Sequence, residues 1–167
     1  PTVYGRRASD VTLENVIITS RSLLREEGKG SQYVAGAIEG ETLAICAEAV
    51  GAMEVLYKTT VEYTKTREQF GQANGKFQVV QHRKVEMFME YEQSKSLLYM
   101  ATIKNVEGSK DAKKSISGLK YQVGKAAKFI GQQSVQLHGG MGVTEELNVG
   151  HFFKRLTTIM NIFGNTE

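Results

Sequence analysis

The stretch GKAAKFIGQQSVQLHGGMGV, residues 124–143, sets a helical pattern directly against three glycines. Such a cluster has two uses, because glycine reaches φ > 0 freely and lets a ligand or another backbone come close. A dinucleotide fingerprint needs a strand before the glycines and a helix opening within them. Here the preceding run is helical: Ile116, Leu119, Val123, Ala126, Ile130 and Val135 recur near a 3.6-residue period. A doubly wound nucleotide-binding fold is therefore excluded. On the residues alone, the cluster reads as the C-terminus of a helix spanning about 111–138, closed by a tight turn.

Working outward, the same period recurs twice upstream. Val34, Ala37, Ile38, Ile45, Ala49, Met53, Leu56 and Tyr63 predict a helix from about 32 to 69. GQANGK (71–76) breaks it with an Asn-Gly turn signal. Val80, Val85, Phe88, Tyr91, Leu98 and Ile103 predict a second helix over about 77–107, and Ser109 is a candidate N-cap for the third. After the glycines, Thr144 reads as the N-cap of a shorter helix through Phe153, Leu156 and Met160. The single proline is Pro1, so none interrupts these runs. The fold class expected is all-α, an up-down four-helix bundle. Val11, Leu13, Val16, Ile17 and Ile18 favour extended structure instead. Residues 1–24 are accordingly expected to be a short β remnant of a preceding domain, and 25–167 the bundle.

Composition narrows the function. The chain has 167 residues, 41% hydrophobic and 23% charged, with net charge +3, as expected of a globular domain. Basic and aromatic residues do not interleave as nucleic-acid readers require, so no nucleic-acid partner is expected. No apolar run approaches the roughly 20 residues of a membrane span. Cys46 lies among Ala44, Ile45 and Ala47, where an inert buried thiol is expected, and one cysteine cannot make an intrachain disulfide. His82, His138 and His151 lack metal-ligand spacing, so no metal is expected. SKSLLYM (94–100) offers serines without a nucleophile elbow. Arg67, at a helix end beside a glycine turn, is either a solvated cation favouring the helix dipole or a phosphate clamp.

The pair TREQFGQANGKFQVVQH (66–82) and QLHGGMGVTEELNVGHFFKR (136–155) resembles the C-terminal helical domain of the acyl-CoA dehydrogenase family. The resemblance starts near Tyr4 and covers nearly the whole chain, and the two motifs at this spacing are specific together. It implies FAD as cofactor, with Arg67 on an FAD phosphate, Phe70 near the adenine, Gln78 a further contact, and Gln136, Leu137, Gly139 and Gly140 lying along the flavin nucleotide of a neighbouring subunit. Thr166 matches another cofactor position. It also implies a homo-oligomer, dimer or tetramer, an acyl-CoA substrate in fatty acid metabolism, electron-transferring flavoprotein as acceptor, and a cytoplasmic location (the mitochondrial matrix if eukaryotic). By the same resemblance the chain is a piece of a protein about twice as long, inactive when isolated.

The sequence departs from the family at the base. Where most members carry a glutamate in an Ile-Tyr-Glu-Gly-Thr-like run, IFGNTE (162–167) has Gly164 and Asn165; Leu156 replaces the aspartate usual after Arg155, and Glu167 is a poor substitute. Isovaleryl-type members take the base from the first long helix, and aligning on AEAVGAMEVL (47–56) puts Glu41 there. Val34, Ala37, Ile38, Ala44 and Ile45 flank Glu41, so it interrupts an apolar stripe, and burial would raise its pKa as a general base needs. Glu41 is otherwise an ordinary glutamate at the bundle edge. The alternative to a Glu41 enzyme is a non-catalytic or half-site subunit beside a paralogous subunit that keeps the usual glutamate.

Overall fold

The computed structural model describes residues 9–164. Four helices carry the fold: α1 (Gly30–Thr66), α2 (Gln78–Val106), α3 (Ala112–His138) and α4 (Val149–Ile159). The three long ones match the sequence expectation to within a few residues. On α1 the buried positions Thr42, Cys46, Ala49, Met53, Leu56, Thr60 and Thr64 step by three or four, so one stripe faces the core. α3 is the central helix, packing on α1, α2 and α4. Its stripe from Ile116 through Leu119, Val123, Ala127 and Ile130 is almost completely buried. Each of the isoleucine, leucine and valine side chains there contributes on the order of 1.5–3 kcal/mol of burial.

Small residues set how closely the helices approach. A Cβ on Gly131 would stand 2.9 Å from the Phe153 ring of α4, and Ala49 and Ala126 are fully buried. α4 is held to α1 by Arg155, whose Nε and Nη2 donate to the two carboxylate oxygens of Glu48 at 2.5 and 2.6 Å. Leu156 beside it is completely buried, as part of the core. Lys120, 5% exposed, donates from Nζ to the carbonyls of Met160 and Gly164 at 3.0 and 2.8 Å. It thereby ties the end of the described chain onto α3.

Two expectations need correction. The extended run at 11–19 forms no strand; residues 9–29 are exposed, in irregular backbone apart from a 3-10 turn at Ser20–Ser22. A strand needs a partner, and among the described residues none pairs with this run. The sheet among the described residues lies instead after α1, where β1 (Glu68–Gln69) pairs antiparallel with β2 (Gln72–Ala73). The last helix also starts later than Thr144. The Thr144 hydroxyl donates to Met141 O at 2.9 Å, closing a 3-10 turn over Gly139–Val143, and helix resumes only at Val149. Ser109 acts two residues before α3's own N-cap, Asp111, accepting that residue's N–H at 3.3 Å.

Candidate functional site

α1 and α3 run parallel as neighbours, and their C-termini end at the same level. Tyr63 stacks on His138 with ring centroids 4.2 Å apart, and its hydroxyl donates to His138 O at 3.5 Å. Beyond these residues the chain leaves both helices, and a groove of about 470 Å³ opens between the two exits. Arg67, Gln136, Leu137, Gly139 and Gly140 all line it. Five of the eight cofactor positions expected from the sequence thus converge, although the two motifs lie far apart in the chain.

Local chemistry explains the shape. Arg67 leaves the helix in extended conformation, φ −73° and ψ 121°, while its N–H still bonds Tyr63 O at 2.9 Å. Its guanidinium is exposed and makes no hydrogen bond or ion pair among the described residues. The β1–β2 hairpin follows, with left-handed φ at both Phe70 (54°) and Gly71 (79°), the signature of a two-residue I′ turn. The sequence reading placed the turn at Asn74-Gly75, which instead forms a 3-10 turn. Phe70 is 93% exposed at the hairpin tip and meets Phe77 edge-on at 6.3 Å. A bulky residue in this conformation is strained, and such strain is found where a side chain is held out for use. Gln78 opens α2, exposed, and does not line the groove. Thr166 lies outside the described residues.

The glycines divide by need. Gly139 has φ 60° and ψ −142°, accessible essentially to glycine alone. A Cβ on Gly142 would stand 2.7 Å from Val135 O, so the turn demands glycine there. Gly140 has neither constraint: its φ is not left-handed and nothing lies within 4 Å of its Cβ position. It lines the groove, and a side chain there would fill the space. An open cradle beside an unengaged arginine fits a phosphate-bearing ligand, so the residues present are compatible with the cofactor the resemblance implies.

His138 and Tyr63 were not expected at the site. His138 is 4% exposed. Its Nδ1–H donates to Ser134 O at 2.8 Å, a carbonyl being able only to accept. Burial pushes the imidazole below its ordinary value of 6.5, partly offset by that hydrogen bond. Below that value the unfolded chain takes up a proton the buried ring resists, so stability should rise with pH through this window. Denaturant midpoints are expected to fall as pH drops below the ordinary imidazole value, and His138→Phe to flatten that fall; an unchanged slope would refute the assignment.

The expected base sits elsewhere. Glu41 is exposed, as are Val34, Ala37, Ile38 and Ala44 around it. The burial expected from the stripe is not supplied among the described residues, since this stretch of α1 stays exposed. Gly164 lines a second groove of about 370 Å³ with Ile38, Glu39, Thr42 and Lys120, and Glu41 is not on its wall. Along α1, Glu41 and Tyr63 are separated by roughly 33 Å at 1.5 Å per residue.

A family model described as acyl-CoA dehydrogenase, C-terminal domain, matches residues 28–167. The chain belongs to the acyl-CoA dehydrogenase family. It is 29% identical over 153 residues to the mitochondrial 2-methylacyl-CoA dehydrogenase of Solanum tuberosum, covering 90% of this chain and 37% of that protein. Among solved structures, butyryl-CoA dehydrogenase from Megasphaera elsdenii superposes with TM-score 0.80 at 29% identity, over 84% of this chain and 37% of that one. The structure of PigA with FAD and proline gives TM-score 0.80 at 30% identity, over 84% and 37%. The chain therefore spans well under half the length of these proteins. No helix among the described residues is long and apolar enough to cross a membrane.

Proposed function

We propose that this chain is the C-terminal bundle of an FAD-dependent acyl-CoA dehydrogenase acting on an acyl-CoA thioester in fatty acid metabolism. Residues 1–24 would end the preceding β-domain, and the bundle alone would be inactive. The observation that carries this reading is the convergence of Arg67 and Gln136–Gly140 on one groove. FAD, when bound, supplies hydride acceptance at the thioester's β-carbon. Arg67 would hold a phosphate, Phe70 and Gln78 would flank the nucleotide, and Gly139 and Gly140 would let it approach the backbone. Thr166 completes the proposed set. Glu41 would take the α-proton. Its distance from the groove favours one chain serving two cofactors, the groove holding that of a neighbouring subunit. Exposed apolar residues on α2, such as Val79, Val85, Ile103 and Val106, support burial between copies in a dimer or tetramer. Electron-transferring flavoprotein is the proposed acceptor, in the cytoplasm or, in a eukaryote, the mitochondrial matrix.

The position of Gly164 and the exposure of Glu41 favour a second reading, a half-site subunit in a heteromer. Both readings keep the groove, and Gly140→Leu tests it. The side chain enters open space, so the fold should persist, while visible flavin absorbance of the full-length protein falls and FAD affinity drops at least about tenfold. Undiminished flavin content in that variant would remove the groove from cofactor binding.

A further inference from the structure

One helical turn beneath the groove, Thr60 Oγ1, Ser134 Oγ and His138 Nε2 are buried with no hydrogen-bond partner among the described residues. Thr60 and Ser134 are fully buried and His138 nearly so. The register of the α1–α3 seam sets them together. Glu39 meets Lys113 at 3.6 Å, Cys46 lies in the field of Lys120, and Tyr63 stacks on His138. That succession of pairs places Thr60 opposite Ser134. Both residues lie one turn before the Tyr63–His138 contact and on the same faces of their helices.

None of the three atoms is hydrogen-bonded to another, yet together they offer the donors and the acceptor that a bridging water needs. With its proton on Nδ1, committed to Ser134 O, the neutral imidazole leaves Nε2 as an acceptor lacking a donor. Thr60 and Ser134 bring two hydroxyl donors lacking an acceptor. We propose that a single internal water occupies the α1–α3 seam beneath the groove, accepting from the Thr60 and Ser134 hydroxyls and donating to His138 Nε2. Three hydrogen bonds are the usual complement of a buried water, which is conserved in place because removing it strands the polar groups around it. This water holds the plane of the His138 ring against Tyr63, and the His138 carbonyl leads into the glycine turn. The site stands independently of what the groove binds.

Two measurements on the full-length protein test it together. A high-resolution crystal structure should show one spherical density peak within about 2.6–3.2 Å of all three atoms. Hydroxyls turned instead onto their own helix carbonyls, Leu56 O and Ile130 O, with no density between the helices, would overturn the proposal. Thr60→Val keeps shape and removes one partner of the water. With the water present, its denaturant midpoint should fall at unchanged slope. Without it, deleting an unsatisfied buried hydroxyl is stabilising, and a raised midpoint would sink the idea. FAD retention that is weak in the parent protein would count against the flavin groove and leave both readouts intact.

Discussion

Glu41→Gln in the full-length protein is expected to lower turnover by about 10²–10⁴ while FAD content and acyl-CoA binding persist. Glutamine keeps the size of the side chain and removes only its capacity to take a proton. In the proposed reading Gly164 takes the place of the family's commoner carboxylate, and it offers no side chain at all. It lies in a left-handed turn, φ 112°, held by the Lys120 bond to its carbonyl. Glu41 is exposed in this chain, so the desolvation that would tune it as a base has to come from other parts of the assembly. Steady-state kinetics of the purified homo-oligomer decide the matter. A homo-oligomer that is inactive before any substitution, and gains activity on adding a paralogous subunit, selects the half-site reading. An active homo-oligomer indifferent to Glu41→Gln makes Glu41 a helix-edge glutamate.

Much of the bundle was legible because its signal is periodic. The stripes of α1 and α3 repeat at helical spacing over long windows, so their ends were placed within a few residues. What failed was governed by single contacts that leave no pattern. Thr144 has the chemistry of an N-cap, yet its hydroxyl closes the preceding turn onto Met141. Val11 to Ile18 have strand-like side chains, yet a strand exists only where a partner edge does. Asn74-Gly75 looked like the tight turn, while the chain reverses at Phe70-Gly71, where a phenylalanine takes the left-handed conformation. For the site, the residues could name Arg67 and the glycines separately, and only the family resemblance joined them. The physical link is the parallel register of α1 and α3, a tertiary fact. His138 and Tyr63 were missed for the same reason, although a histidine ending a helix before a glycine cluster was the available hint.

Arg67→Ala is expected to weaken FAD binding about ten- to hundredfold without unfolding the bundle. A charge-assisted bond from arginine to phosphate is worth roughly 1.5–3 kcal/mol, which converts to that range of affinity. The fold should be indifferent, because what Arg67 contributes to it is backbone: its N–H to Tyr63 O at 2.9 Å and its carbonyl accepting from Asn74 N–H at 2.8 Å. Alanine keeps both bonds and accepts the same extended φ and ψ. Arg67→Lys should fall between, since an ammonium keeps the charge and loses the planar fork. Raising the salt concentration should narrow the gap between Arg67 and Ala, because the exposed part of the attraction is screened. Flavin titration of the apo-oligomer beside its thermal midpoint separates the two roles. A lost midpoint with unaltered flavin affinity would assign Arg67 to folding; unaltered values of both would make it a solvated cation at the end of α1, whose exposure serves no ligand.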